Sequence, residues 1–254
     1  KGDIKKEIEI KEKQIIGVEY QAHIFALTCS NMFIHRDGKT NIFPGSCFDE
    51  EIIHQVKKFE PSVGLLNPPY QIDKKKDIPE FEFILNNLTV LREGGICVAI
   101  IPMERVLATS GKGYELKKRL LEQHTLEAVM SMPDQLFHDT DTGSITATVV
   151  ITAHKPHPKN KETYFGYWKD DGFVKRKNKG RVDAFSRWDN IKSEWLDSYI
   201  NRKNKPGLSI DKIVTAEDEW CAEAYMETDY SKMTEKDFIK DIKKYVIFKK
   251  TSID

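Results

Sequence analysis

A chain of 254 residues can hold one large α/β domain, or a domain with an appendage, around a sizeable core. Its 31% charged residues balance to a formal net charge of zero, so no global field gathers nucleic acid, any such binding must come from local patches or a partner, and the balance argues against a stand-alone nonspecific DNA binder. Cys29, Cys47, Cys97 and Cys221 lie far apart without C-x-x-C spacing, which predicts reduced thiols, no metal site, and a cytoplasmic protein. No apolar run approaches the ~18 residues of a membrane span, and the charged residues 1–13 do not resemble a signal peptide.

In chain order, residues 1–13 read as the end of a charged helix and 14–19 as a short strand. Ala22, Phe25, Ala26, Cys29 and Phe33 recur at helical spacing over residues 20–34, and the helix should stop at Asp37-Gly38. Residues 41–43 form a brief strand, 49–59 a helix and 63–66 an apolar strand. A helix over 80–91 ends before Gly94-Gly95, and 96–101, reading Ile-Cys-Val-Ala-Ile-Ile, is expected to be a fully buried strand. The spacing predicts a helix over 113–123 and strands over 126–132 and 146–153, the last two separated by an Asp- and Thr-rich loop at 133–144. Such alternation over the first 155 residues predicts a mostly parallel sheet covered by helices.

Composition changes at Lys155. From there to Arg181 nine Lys or Arg stand against three acids, interleaved with Tyr164, Phe165, Tyr167, Trp168 and Phe173. A hairpin turning at Asp170-Asp171-Gly172 fits this stretch, a helix with Trp188 and Trp195 should follow over 187–201, and a mixed tail runs on from Gly207. The expected organisation is therefore a domain over residues 1–155 and a small mixed α+β extension over 156–254.

The most informative residues are Asn67-Pro68-Pro69-Tyr70, which close the apolar run Val63-Gly64-Leu65-Leu66. Consecutive prolines fix φ and hold the residue before each of them extended, so Asn67 and Pro68 sit in a stiff loop at the strand's end. The Asn67 amide and the Pro68 carbonyl then form two rigid acceptors. Together they suit the two N–H donors of an exocyclic amino group, drawing its lone pair out of conjugation, and Tyr70 offers a flat face for a planar base. Read alone, the tetrapeptide also fits a strand followed by a plain Pro-Pro turn.

Other stretches extend the pattern: Ile15-Ile16-Gly17-Val18-Glu19, Gly45-Ser46-Cys47-Phe48, Gly94-Gly95 with the strand ending in Pro102, and Met132-Pro133-Asp134-Gln135-Leu136-Phe137. In this order the chain resembles the methylation subunit of type I restriction-modification systems, an S-adenosylmethionine-dependent N6-adenine DNA methyltransferase. The resemblance implies a Rossmann-like methyltransferase fold and S-adenosylmethionine as cofactor. Glu19 would bond the cofactor's ribose, and Ser46, Cys47 and Phe48 would meet its adenine; Ser46 stands where Asp or Asn is common in the family. Asn67, Pro68 and Tyr70 would be catalytic, with Tyr70 and Phe137 sandwiching the target base. Glu19, Cys47, Phe48 and Phe137 each also fit an ordinary structural role. Double-stranded DNA and a specificity subunit or target-recognition domain are the implied partners, with no membrane.

The family's Gly-rich first strand has no counterpart before Gly17. The fold is thus expected to be incomplete, a fragment whose second and third strands lack their usual neighbour and which by itself binds cofactor weakly and transfers no methyl group. Two alternatives remain at this point: a noncatalytic assembly or DNA-binding piece, and a protein glutamine methyltransferase, whose substrate amide has the same pair of donors.

Overall fold

The computed structural model describes residues 3–36, 41–71, 73, 76–134, 136–137, 145–177, 179–231 and 233–251. The expected helix stop at Asp37-Gly38, and Gln135 with residues 138–144 of the expected loop, lie outside the described residues. The elements in chain order are α1 (Ile4–Glu9), a π-helical turn (Ile10–Gln14), β1 (Gly17–Glu19), α2 (Ala22–His35), β2 (Ile42–Pro44), α3 (Glu50–Lys57) and β3 (Val63–Leu66). They continue with α4 (Glu80–Val90), β4 (Ile96–Pro102), α5 (Met103–Leu107), α6 (Gly111–Gln123), β5 (Thr125–Ser131), β6 (Thr146–Thr152) and β7 (Glu162–Tyr167). The last are β8 (Val174–Arg176), β9 (Gly180–Val182), α7 (Trp188–Ile200), β10 (Ser209–Ile213), a 3-10 turn (Ala222–Ala224) and α8 (Glu235–Thr251).

The main sheet has six strands in the order β10-β7-β5-β6-β4-β3. β3, β4, β5 and β7 run parallel, while β6 and β10 run against them. The carboxyl ends of β3, β4, β5 and β7 therefore share one edge, where ligands of open α/β sheets bind. β1 and β2 form a separate parallel pair, with Glu19 opposite Pro44.

Helix α4 shows why the sheet is covered as it is. Glu80 and Glu82 sit in its first turn, where acids complement the helix dipole, and Phe81, Ile84, Leu85 and Leu88 form a buried stripe at i, i+3, i+4, i+7 spacing. That stripe, with α5 and α6, meets Cys97, Ala99, Ile101, Val149, Ile151 and Phe165 on one sheet face. On the opposite face Ala128, Met130, Val150 and Tyr164 pack with Trp168 and with Tyr199 of α7. Gly64 of β3 permits a close approach, since a Cβ there would lie 2.0 Å from Asn87 Oδ1 of α4.

Three expectations need correction. Residues 96–101 are not a fully buried strand: Cys97, Ala99 and Ile101 are buried, whereas Ile96, Val98 and Ile100 are only partly covered, because α7 lies over the other half of that face. Asp170-Asp171-Gly172 does not close a hairpin. β7 already has β5 and β10 as neighbours, so the carboxylates of Asp170 and Asp171 accept from the N–H groups of Gly172 and Phe173 and merely redirect the chain. The hairpin forms further on, between β8 and β9. Helix α5 was absent from the expected elements, being a single short turn after Pro102.

The main sheet also crosses the 155/156 boundary, for β7 and β10 belong to it. Trp220 is fully buried, donating its N–H to the Val106 carbonyl at 3.0 Å and its indole N–H to Thr215 at 2.8 Å. Lys117 of α6 is buried beside it, 4.5 Å from the ring centroid, and donates to the carbonyls of Val106, Ala108 and Asp218. Among the described residues no helix is long and apolar enough to cross a membrane.

Candidate active site

Asn67 follows β3 at the edge shared by the parallel strand ends. It is exposed, Pro68 is buried and Tyr70 half-buried. No donor among the described residues reaches the Asn67 amide oxygen or the Pro68 carbonyl. The Tyr70 hydroxyl is buried and makes no hydrogen bond among the described residues, and burial, aided by the nearby Glu80 carboxylate, pushes its pKa above the ordinary value.

The loop is gripped just beyond Tyr70. Glu80, fully buried at the start of α4, accepts the Gln71 N–H at 2.8 Å with one oxygen and pairs with Arg105 Nε at 2.7 Å with the other. Arg105, on α5, also donates to the Gln71 carbonyl at 3.4 Å. Both backbone groups of the residue after the motif are thus held by one ion pair. Sequence reasoning missed Glu80 and Arg105; a Pro followed by Glu at a helix start was the only signal, and it reads equally as ordinary helix initiation.

The loop after β5 approaches from the other side. Phe137 is half-buried and meets Tyr70 edge to face, centroids 6.1 Å apart at 81°. Rings so nearly perpendicular leave no parallel slot between them. Asp134, three residues earlier, pairs with Lys169 at 2.5 Å. Glu223 lies within 4.0 Å of the same ammonium and accepts from the buried Ser131 hydroxyl at 2.6 Å.

The cofactor candidates gather on the β1-β2 pair. Glu19 ends β1, half-buried, with its backbone carbonyl accepting the Gly45 N–H at 3.0 Å. One of its carboxylate oxygens accepts the Gln21 N–H at 2.7 Å, leaving the other open. Ser46 is turned inward: its hydroxyl accepts the Phe48 N–H at 3.2 Å, and Asp49 caps the Ser46 N–H at 3.1 Å. Two residues of α4 anchor this loop, Asn86 donating to the Cys47 carbonyl at 2.7 Å and Phe83 packing on Phe48 at 4.9 Å. Burial raises the Cys47 thiol pKa. All four cysteines are free, and no group of three or more metal-ligating side chains occurs among the described residues. Helix α4 therefore links the two halves of the site, holding Gln71 through Glu80 and Cys47 through Asn86.

An α/β sheet with an Asn-Pro-Pro-Tyr loop at its carboxyl edge defines a Rossmann-like protein of the methyltransferase class. The chain belongs to the N-6 DNA methylase family, whose profile matches residues 3–254. It is similar to the type II restriction enzyme and methyltransferase RM.BcgI of Heyndrickxia coagulans, 30% identical over 249 residues that make up 94% of this chain and 38% of that protein. Among solved structures, the methyltransferase subunit of a type I restriction-modification system from Streptococcus thermophilus shares the fold, with a TM-score of 0.64 at 21% identity over 84% of this chain and 48% of that one. The type I restriction enzyme EcoKI M protein does so at a TM-score of 0.57 and 16% identity, over 75% of this chain and 42% of its own. The chain thus spans less than half the length of these relatives.

Proposed function

We propose that this chain carries the target-base site of an S-adenosylmethionine-dependent N6-adenine DNA methyltransferase working in a restriction-modification system. The observation that carries this reading is the pair of unengaged acceptors, Asn67 amide and Pro68 carbonyl, on a loop that Glu80 and Arg105 hold rigid. Preorganised acceptors act without reorganisation at the moment of reaction. The amino group of an extruded adenine would donate one N–H to each, so that its lone pair points away from the ring. Tyr70 would supply the stacking face, and its unpartnered hydroxyl a hydrogen bond at the pocket wall. Phe137 would need to rotate out of its edge-to-face contact before it stacked on the same base.

Glu19 and the Ser46-Cys47-Phe48 loop fit the ribose and adenine of the cofactor, since Glu19 keeps one carboxylate oxygen open beside that loop. S-adenosylmethionine, when bound, supplies an electrophilic methyl group. Held by Asn67 and Pro68, the adenine amino nitrogen would present its lone pair to that methyl group. Site choice on DNA would come from a specificity subunit or target-recognition domain.

The test is Asn67→Ala in the complete protein, assayed with radiolabelled cofactor on adenine-containing duplex DNA. Methyl transfer should be lost while cofactor binding persists. Undiminished methylation of DNA, or methylation of a glutamine-bearing peptide in place of DNA, would overturn the assignment.

A further inference from the structure

The basic segment after β7 lies at the catalytic end of the sheet. β7 runs parallel to β5, so Tyr167 stands beside Ser131, and the Trp168 N–H donates to the Ser131 carbonyl at 2.9 Å. Helix α7 then returns along the sheet: Tyr199 packs on Tyr164 at 5.3 Å and Trp195 stacks on Trp168 at 5.0 Å. Trp188, two turns earlier, must therefore lie beyond the strand ends. Phe173, which leads directly into β8, packs on Trp188 at 5.8 Å. The β8-β9 hairpin is thus rooted past the carboxyl edge, near Lys169 and the loop that carries Phe137.

Its charges are segregated. At the root every cation has an acid: Arg181 pairs with Asp171 at 2.7 Å, Arg187 with Asp170 at 2.6 Å, and Lys169 with Asp134. Further out, Lys175, Arg176, Lys177 and Lys179 are exposed, and no carboxylate among the described residues pairs with them. A merely solvated surface of a chain with zero net charge would intersperse both signs, as α7 does with Lys192 and Asp189. Here four unbalanced cations project from a ribbon held rigid at its base by an aromatic and ion-pair cluster.

We propose that the β8-β9 hairpin grips the DNA phosphate backbone flanking the target adenine. This rests on the reading of the Asn67 site as acting on DNA, and adds to it the surface that holds the duplex while one base is taken out of the stack. Extruding a base gives up its stacking and pairing, and backbone contacts beside the site hold the duplex while that happens. Phosphate contacts carry no sequence information, which suits a surface that holds DNA while another part of the system reads it.

The experiment replaces Lys175, Arg176, Lys177 and Lys179 together by serine in the complete protein and measures duplex binding by fluorescence anisotropy across a salt series. Each phosphate neutralised contributes about 0.9 to the slope of log affinity against log salt, so the slope should fall by about 3 to 4. The weakening should be uniform across duplex sequences, with KM for DNA raised and kcat at saturating DNA unchanged. A second variant, Lys175→Arg with Lys177→Arg and Lys179→Arg, should keep the wild-type slope, because it keeps the charge. A serine variant with the wild-type slope and affinity, or an arginine variant that loses them, overturns the hairpin's role even if the wild type methylates DNA. A wild type that methylates no DNA overturns the reading of the Asn67 site instead, whatever the slope.

Discussion

The ion pair between Glu80 and Arg105 should be coupled to both stability and turnover. Arg105→Met leaves the Glu80 carboxylate, 0% exposed, with the Gln71 N–H as its one partner among the described residues. Breaking a buried pair by removing one member costs about 3 to 5 kcal/mol, so a loss near 4 is expected. Glu80→Gln should cost less, about 2 kcal/mol, because the Arg105 side chain is 14% exposed and has Glu104 within 3.6 Å as a substitute. The double variant should fall short of the sum by about 2 kcal/mol, since neither charge is then left stranded. Because the pair holds both backbone groups of Gln71, either single change also loosens Tyr70 and Pro68, and a displacement near 1 Å costs about a hundredfold in rate. Urea unfolding read by tryptophan fluorescence gives the cycle, and labelled methyl transfer at saturating DNA gives kcat. Additive stability losses, or wild-type kcat in Arg105→Met, would refute the coupling.

Lys117 yields a pH prediction. Burial lowers its pKa from 10.5 to about 8, against the opposing pull of Asp218 and Glu219. Between those values the unfolded chain binds more protons than the folded one, so the lysine's contribution to stability rises with pH across about 8 to 10.5 and is least favourable below it. The stability of wild type relative to Lys117→Met should therefore improve by about 3 kcal/mol from pH 7 to pH 10.5, measured by chemical denaturation, and a flat difference would count against it. At Gly64, alanine would drive a methyl group against Asn87 Oδ1, 2.0 Å from the new carbon. Gly64→Ala should cost about 1 to 3 kcal/mol in a thermal melt, and Asn87→Ala in the same chain should recover most of it; no recovery would show that the strain lies elsewhere.

Sequence alone was enough for the local pieces of this protein. Strand β3 and its Asn-Pro-Pro-Tyr loop were legible because proline restricts the backbone without help from the rest of the chain, and α4 and α7 because their apolar residues recur at helical spacing. The family was legible from the order of several such pieces. What the pieces do to one another depends on contacts across long stretches of chain, which no local pattern encodes. Glu80 and Arg105 meet across 25 residues, Asn86 and Cys47 across 39, and Lys117 and Asp218 across 101. The expected break at residue 155 followed a real change in composition, yet β7 and β10 continue the sheet beyond it, because β5 offered a free edge and hydrogen-bonding groups left unpaired at a buried edge are costly. The hairpin was decided in the same way: β7 was filled on both sides, so Val174–Arg176 and Gly180–Val182 paired with each other in a separate two-stranded sheet.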